Sequence, residues 1–355
     1  MELSAQAAQY KKENSLPVTD KKREREILSN ASKAGEDMEL YAHRFYSTVL
    51  ELSKSYQQSI CLTGSNVRTQ AERGIASGKT SFPQSGMIAC QGVEGAYSQM
   101  AADKMFPRGN LVFFKTFEAV FDAVESGFCQ FGVVPIENSS NGSVRETYDL
   151  LRTKKCRIVR SQRMFIKHEL LAKPGTTLEQ ITSIHSHPQA LGQCSKFIKS
   201  LGDKVSAVPA ANTAEAASFV ANSSDPGVAA IASHGCGKLY GLVPVQTSIQ
   251  DSDNNYTRFV CIAKDADVYP GADHISLILA CEHKPGALYE ILAKLAALEV
   301  NLIKLESCPI VGHDFEFMFF LELQASVTDA RVLAMLENIE RDCDQFVYLG
   351  NYSEA

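Results

Sequence analysis

The chain has 355 residues, 45% of them hydrophobic, enough to bury more than one core and long enough for two or three domains. Its 35 basic residues against 41 acidic ones give a net charge of -6, without the basic excess that binding to nucleic acid or an anionic membrane requires. Ten cysteines with no CxxC pair or zinc-type spacing fit reduced thiols in a cytoplasmic protein without a metal, and the apolar runs are too short to cross a bilayer.

In chain order, an all-helical block comes first. Met38, Tyr41, Phe45, Val49, Leu52 and Tyr56 recur at steps of three and four and predict one long helix with a single apolar face. Pro17 interrupts an earlier helix, Thr19 or Asp20 can cap the next, and Gly35 ends it. Three helices are therefore expected in residues 1–60. Residues 61–86 turn polar and Gly/Ser/Thr-rich and read as a linker.

Residues 87–264 alternate short apolar runs with helical patterns. Strands are expected at Met87 to Cys90, Leu111 to Phe114, Phe131 to Ile136, Ile181 to His185 and Val205 to Val208. Helices are expected at Phe117 to Val124, Gln189 to Ile198 and Thr213 to Val220. This order argues an α/β domain with largely parallel sheets. After a polar break at Lys264 to Asp273, residues 274–351 read as strand Ile275 to Cys281, helix Gly286 to Leu298, strand Asn301 to Ser307, strand Phe315 to Leu323, helix Asp329 to Ile339 and strand Gln345 to Leu349. That is the α+β ferredoxin-like plan.

Polar clusters fall at apparent strand ends of the middle block. Glu137, Asn138, Ser139, Ser140, Asn141 and Ser143 surround Gly142 just before a helix, a donor-rich site for an anion or simply a capped polar loop. Thr257 and Arg258 open a buried strand, the arginine offering either a carboxylate clamp or a surface ion pair. His185, Ser186, His187 and Gln193 form a third cluster, and Asn212, Thr213 and Glu215 a fourth. Ligands of open α/β sheets gather beyond the carboxyl ends of strands, so the four can converge on one cleft. For His185 and His187, capping or core roles are the expectation.

Six segments in register over about 170 residues resemble the prephenate dehydratase family: Gly92 to Ser98, Glu137-Asn138-Ser139, His187 to Leu191, Asn212 to Ala217, Ala229 to Ser233 and Thr257-Arg258-Phe259. The resemblance implies a two-lobed fold like that of periplasmic binding proteins. It implies conversion of prephenate to phenylpyruvate, CO2 and water with no cofactor, by positioning, anchoring of carboxylates and a donor at the leaving hydroxyl. By that resemblance Thr257 is catalytic, donating or relaying a proton, and Glu137 is the nearby carboxyl that could supply it. Asn138, Ser139, Ser143, Ser186, Gln193, Thr213 and Arg258 would bind substrate.

The helical block, with Lys11, Asp20, Arg23, Glu24, Ser53 and Gln57, resembles the chorismate mutase domain. In that family such residues grip chorismate, with Lys11 and Gln57 here facing the ether oxygen; a solvated helical face is the alternative. Two arginines that the family carries upstream of the Lys11 position are missing from the ten residues before it, so an internal start or weakened mutase activity is expected. The last block resembles an ACT regulatory domain. Gly286, Ala287 and Leu288, with Glu306 and Ser307, would bind L-phenylalanine as effector between paired domains, and Cys308 stands where arginine is usual. The combined expectation is a mutase–dehydratase fusion under phenylalanine control, as a homodimer or homotetramer. A dehydratase with a vestigial mutase domain, an arogenate dehydratase, a solute-binding module and an amino-acid sensor are the alternatives.

Overall fold

The protein is seen in a computed structural model that describes residues 2–14, 16–61, 64–252, 254–309 and 317–355. It divides into two compact units, Met1–Glu72 with Leu279–Leu321 and Val327–Phe346, and Arg73–Ile278 with Glu322–Ser326 and Val347–Ala355.

In the first unit the N-terminal block forms helices Glu2–Glu13, Lys21–Ala34 and Glu39–Cys61. Asp20 caps the second by accepting from the Lys22 and Arg23 amides. At Gly35 a Cβ would fall 2.8 Å from Ala42 Cβ, so glycine permits the tight return into the third helix. The periodic face of that helix exists but is not covered: Tyr41 is 69% and Phe45 65% exposed.

Residues 61–86, which composition marks as a linker, instead contain the helix Asn66–Ala76. Its inward positions are small, with Val67 and Ala71 fully buried, and Gly74 lies so close to Ala266 that a Cβ would collide with the Ala266 carbonyl. Arg68 fixes this helix through two hydrogen bonds to Glu337, at 2.8 and 2.6 Å.

The second unit holds two sheets. The first runs Arg108–Phe114, Ser85–Gln91, Phe131–Asn138, Tyr256–Ala263, Arg157–Phe165, with the short strand Gly142–Ser143 on Phe131–Asn138. The second runs Val243–Gln246, Glu169–Ala172, Val228–Ala232, Ser183–Ser186, Ser206–Pro209. The sheets are mixed rather than largely parallel, because Tyr256–Ala263 pairs antiparallel with both neighbours and Glu169–Ala172 does the same in the second sheet. The chain crosses between lobes twice, outward after Phe165 and back before Tyr256. The single helix expected over Gln189 to Ile198 is two short ones, Pro188–Gln193 and Ser195–Ser200, separated at Cys194.

The C-terminal elements follow in the order strand His274–Cys281, helix Ala287–Ala297, strands Asn301–Pro309 and Phe317–Gln324, helix Ala330–Asp342 and strand Cys343–Tyr352. Their sheet has Asn301–Pro309 at one edge, then Phe317–Gln324, His274–Cys281 and Cys343–Tyr352. Phe315 and Glu316, the start of the strand expected there, lie outside the described residues.

Candidate active site

Pairing of Phe131–Asn138 with Tyr256–Ala263 sets Thr257 opposite Asn138 and Arg258 opposite Glu137. Successive side chains of a strand leave opposite faces, so the two pairs point to opposite sides of the sheet. On one side Asn138 Nδ2 donates to Thr257 Oγ1 at 2.9 Å. Its Oδ1 accepts from the Ser140 and Asn141 amides at 3.0 and 3.1 Å, which fixes the orientation of the side-chain amide. Thr257 Oγ1 already accepts a hydrogen bond, so its own O–H is available to an acceptor beside it.

On the other side the structure corrects two expectations. Arg258 is not a free carboxylate clamp: its Nη1 and Nη2 donate to the two oxygens of fully buried Glu322 at 2.5 and 2.6 Å, and Nη2 lies 3.2 Å from Glu137. Burial works against the guanidinium charge, but the hydrogen bonds to Glu322 and the fields of Tyr352, Glu322 and Glu137 more than offset it and hold the group protonated. Glu137, on the Arg258 face, is turned away from Thr257 and is not placed to supply its proton. Ser143, opposite Glu137 in the ladder, shares that face.

A cavity of about 360 Å³ lies where the lobes and crossings meet, lined among others by Ser140, Asn141, Gln189, Gln193, Asp251 and Asn255. The carboxylate of its lining among the described residues, Asp251, is engaged by Ser195 Oγ and the Lys196 amide. Gln193 contributes directly; Asn138 and Thr257 are not in the lining and join it through Asn255, whose Oδ1 accepts from Asn138 Nδ2 at 3.2 Å. Two of the other expected binders, Ser139 and Ser186, make their hydrogen bonds elsewhere. Ser139 Oγ donates to the Asn254 carbonyl and accepts from the Tyr256 amide. Buried Ser186 donates to the Ile231 carbonyl, and Thr213 opens a helix capped by Asn212. Neither lines the cavity. His187 caps its helix and His185 lies against the Phe219 ring, with centroids 4.7 Å apart.

Among the mutase-type residues, Lys11 Nζ donates to Gln57 Oε1 at 2.8 Å and Gln57 Nε2 to Ser53 Oγ at 3.0 Å, so these three converge. Glu24 pairs with Lys54 at 2.9 Å. Asp20 is spent on its cap, and Arg23 lies on an exposed face with Glu26. In the C-terminal segment, Gly286 stands at φ +91 before helix Ala287–Ala297. Ala287 and Leu288 line a cavity of about 320 Å³ with His283, Lys284, Phe317 and Phe319. Glu306 and Ser307 lie outside that lining, on the edge strand.

Two residues bonded to Gln193 escape sequence reasoning: His168, whose Nε2 lies 2.9 Å from Gln193 Oε1, and Asn255, whose Nδ2 donates to the same oxygen at 3.1 Å. Each sits among other polar residues of a crossing segment, His168 between Lys167 and Glu169 and Asn255 after Asn254, with no periodicity to single it out; Asn255's place two residues before Thr257 is the one local signal.

The chain matches the family model for prephenate dehydratase over residues 88–267 and that for chorismate mutase type II over residues 1–58. It is 33% identical to arogenate dehydratase/prephenate dehydratase 2 of Arabidopsis thaliana, over 85% of this chain and 81% of the relative. It is 32% identical to the bifunctional chorismate mutase/prephenate dehydratase of Escherichia coli K12, over 99% of this chain and 90% of the relative. The crystal structure of prephenate dehydratase from Arthrobacter aurescens in complex with L-Phe superposes with a TM-score of 0.69 at 28% identity, covering 75% of this chain and 89% of that one. The chain belongs to the prephenate dehydratase family, in the form that carries a chorismate mutase type II domain at its N-terminal end.

Proposed function

We propose that the protein converts prephenate to phenylpyruvate with Thr257 as the group at the leaving hydroxyl, and that its N-terminal domain makes prephenate from chorismate. The observation that carries the first part is the Asn138–Thr257 hydrogen bond, which leaves the threonine O–H as a donor near a cavity lined mostly by amide and hydroxyl side chains, its Asp251 carboxylate engaged by Ser195 and Lys196. In the reaction the ring C–CO2 bond breaks and its electron pair enters the ring. The C–O bond breaks in concert, and the hydroxyl departs with its electrons and takes a proton to leave as water. A threonine hydroxyl is too weak an acid to be a tuned general acid, so Thr257 stabilises the departing oxygen by hydrogen bonding and relays a proton that solvent replaces. Gln193 offers amide donors to a substrate carboxylate.

For the mutase step, Lys11 and Gln57 face the ether oxygen and Ser53 supports Gln57. The C-terminal segment is read as a ferredoxin-like ACT domain that takes L-phenylalanine at Gly286, Ala287 and Leu288, with Glu306 and Ser307 contributed across a paired surface. The A. aurescens prephenate dehydratase, in complex with L-Phe, supports this choice of effector. Pairing of two copies would cover the exposed face of helix Glu39–Cys61 and the edge strand Asn301–Pro309, where Ile303 is 44% and Leu305 41% exposed. A second reading takes the aminated analogue arogenate as substrate, supported by plant relatives whose names give arogenate dehydratase alone or beside prephenate dehydratase.

Product analysis with chorismate, prephenate and arogenate offered separately, each with and without L-phenylalanine, tests these assignments. Phenylpyruvate from prephenate, lost in Thr257→Val, is expected. No product from either prephenate or arogenate would overturn the dehydratase reading, and saturating phenylalanine that changes neither rate nor thermal stability would remove the sensor.

A further inference from the structure

Five polar side chains form one hydrogen-bonded line through the second unit. His168 Nε2 meets Gln193 Oε1 at 2.9 Å, and Asn255 Nδ2 donates to the same oxygen at 3.1 Å. Asn138 Nδ2 donates to Asn255 Oδ1 at 3.2 Å and to Thr257 Oγ1 at 2.9 Å. His168 is 2% exposed, Asn255 1% and Asn138 6%, so these groups are held by the protein rather than by water.

The direction of every bond is determined. Two backbone amides occupy Asn138 Oδ1, so its nitrogen must face Asn255 and Thr257. Asn255 therefore presents its oxygen to Asn138 and its nitrogen to Gln193. Gln193 Oε1 can only accept, which places the imidazole proton of His168 on Nε2 and leaves Nδ1 bare; it has no partner among the described residues. Burial pushes the His168 pKa down, favouring that neutral ring, although the Gln193 hydrogen bond opposes the shift. With its oxygen accepting twice, Gln193 keeps both N–H donors without a protein partner among the described residues while lining the cavity.

The line also follows the topology. His168 sits on the outward crossing between strands Arg157–Phe165 and Glu169–Ala172, and Asn255 on the return crossing, immediately before Tyr256–Ala263. Gln193 belongs to the second lobe; Asn138 and Thr257 belong to the first. The two crossings thus join the donor of one lobe to the hydroxyl of the other.

Resting on the dehydratase reading, we propose that His168 and Asn255 are positioning residues for the reaction. His168 holds the Gln193 amide with its N–H donors toward the substrate, and Asn255 couples that amide to the Asn138–Thr257 pair, so that both lobes' contributions are set by one network.

The test is steady-state kinetics with prephenate, alongside thermal unfolding, for His168→Leu, His168→Gln, Asn255→Ala and Gln193→Ala. His168→Leu removes the donor behind a binding group and should raise KM about 5- to 15-fold, as expected for one buried hydrogen bond, with kcat within about threefold. His168→Gln can place an amide N–H where the imidazole Nε2–H stood and should recover most of that loss. Asn255→Ala loosens the Thr257 side and should lower kcat by about tenfold or more. On the Gln193→Ala background, His168→Leu should add nothing. Wild-type kinetics in His168→Leu and Asn255→Ala would overturn the proposal. So would losses that glutamine fails to rescue and that track lowered thermal stability, which would mark a packing role only. A wild-type protein that consumes neither prephenate nor arogenate would sink the dehydratase reading, a result distinguishable from an active wild type with indifferent variants.

Discussion

Removing the Glu322 carboxylate should cost the second unit a large part of its stability while the reacting groups stay in place. Glu322 is fully buried and Arg258 is 7% exposed, and both oxygens of the glutamate accept from the guanidinium. Deleting one partner of such a pair leaves an uncompensated buried charge, typically about 3–5 kcal/mol. Glu137, 3.2 Å from Arg258 and partly solvated, can answer part of that charge, which places Glu322→Ala near the lower figure. For a unit of this size each kcal/mol moves the midpoint by about 2–4 °C, so a drop of about 6–12 °C is expected. Glu322→Gln keeps the volume and one acceptor and should lose less. The double variant Arg258→Met/Glu322→Leu removes both charges and should melt above Glu322→Ala, because the penalty lies in the orphaned arginine rather than in the missing attraction. Scanning calorimetry of the four proteins gives the answer. A Glu322→Ala midpoint within about 2 °C of wild type, or a double variant that melts no higher than Glu322→Ala, would refute the reasoning.

The remaining predictions are independent of that pair. Thr257→Val should cut kcat for prephenate about 10²–10³-fold, the usual loss of a donor aimed at developing charge, with KM within a few-fold; Thr257→Ser should stay within about tenfold of wild type. Glu137→Gln should keep kcat within about tenfold and leave the pH–rate profile in place, since its carboxyl faces Arg258 and not Thr257. The Glu337 carboxyl is held below the usual carboxylate range by its hydrogen bonds from Arg68. Its stabilising contribution is therefore present above the unfolded value of about 4.3 and is lost as pH falls through the lower folded value. In denaturant titrations from pH 7 to 3, the stability gap between wild type and Arg68→Met should accordingly close toward acid. Gly286→Ala forces a side chain onto φ +91 and should weaken phenylalanine's effect on rate, measured as a rightward shift of the inhibition curve, without changing uninhibited kcat.

Much of this architecture was legible because burial follows period. The helix over Met38 to Tyr56 and the strand–helix alternation after Met87 come directly from the spacing of large apolar residues. Helix Asn66–Ala76 did not, because its buried side is made of Val67, Ala71 and Gly74, which carry little hydrophobic signal and fit by being small. The mixed sheets were hidden for another reason. A fully buried run such as Phe259 to Ala263 announces that it is covered on both faces, not which way its neighbours run. His168 and Asn255 acquire a role only when the two crossings lie side by side, and that adjacency is a property of topology, absent from any local window.

The separation of Thr257 from Arg258 was, by contrast, available from the sequence. Two consecutive residues of one strand cannot both face one cleft. Their different fates depend on the partner strand, where the register passes from Phe259 opposite Pro135 to Arg258 opposite Glu137 and leaves Ile136 without a ladder partner. Such a bulge re-aims the end of a strand relative to its packed interior. Proline suits the position beside it because it has no N–H to leave unsatisfied, while Ile136, fully buried, anchors the step. Beyond the bulge, Glu137 and Asn138 divide the two faces between them: the carboxylate helps hold the buried arginine, and the amide turns to the threonine. The order Pro135-Ile136-Glu137-Asn138 thus has a mechanical reading, in which a displaced register lets a strand packed for stability present the Asn138 amide to the Thr257 hydroxyl.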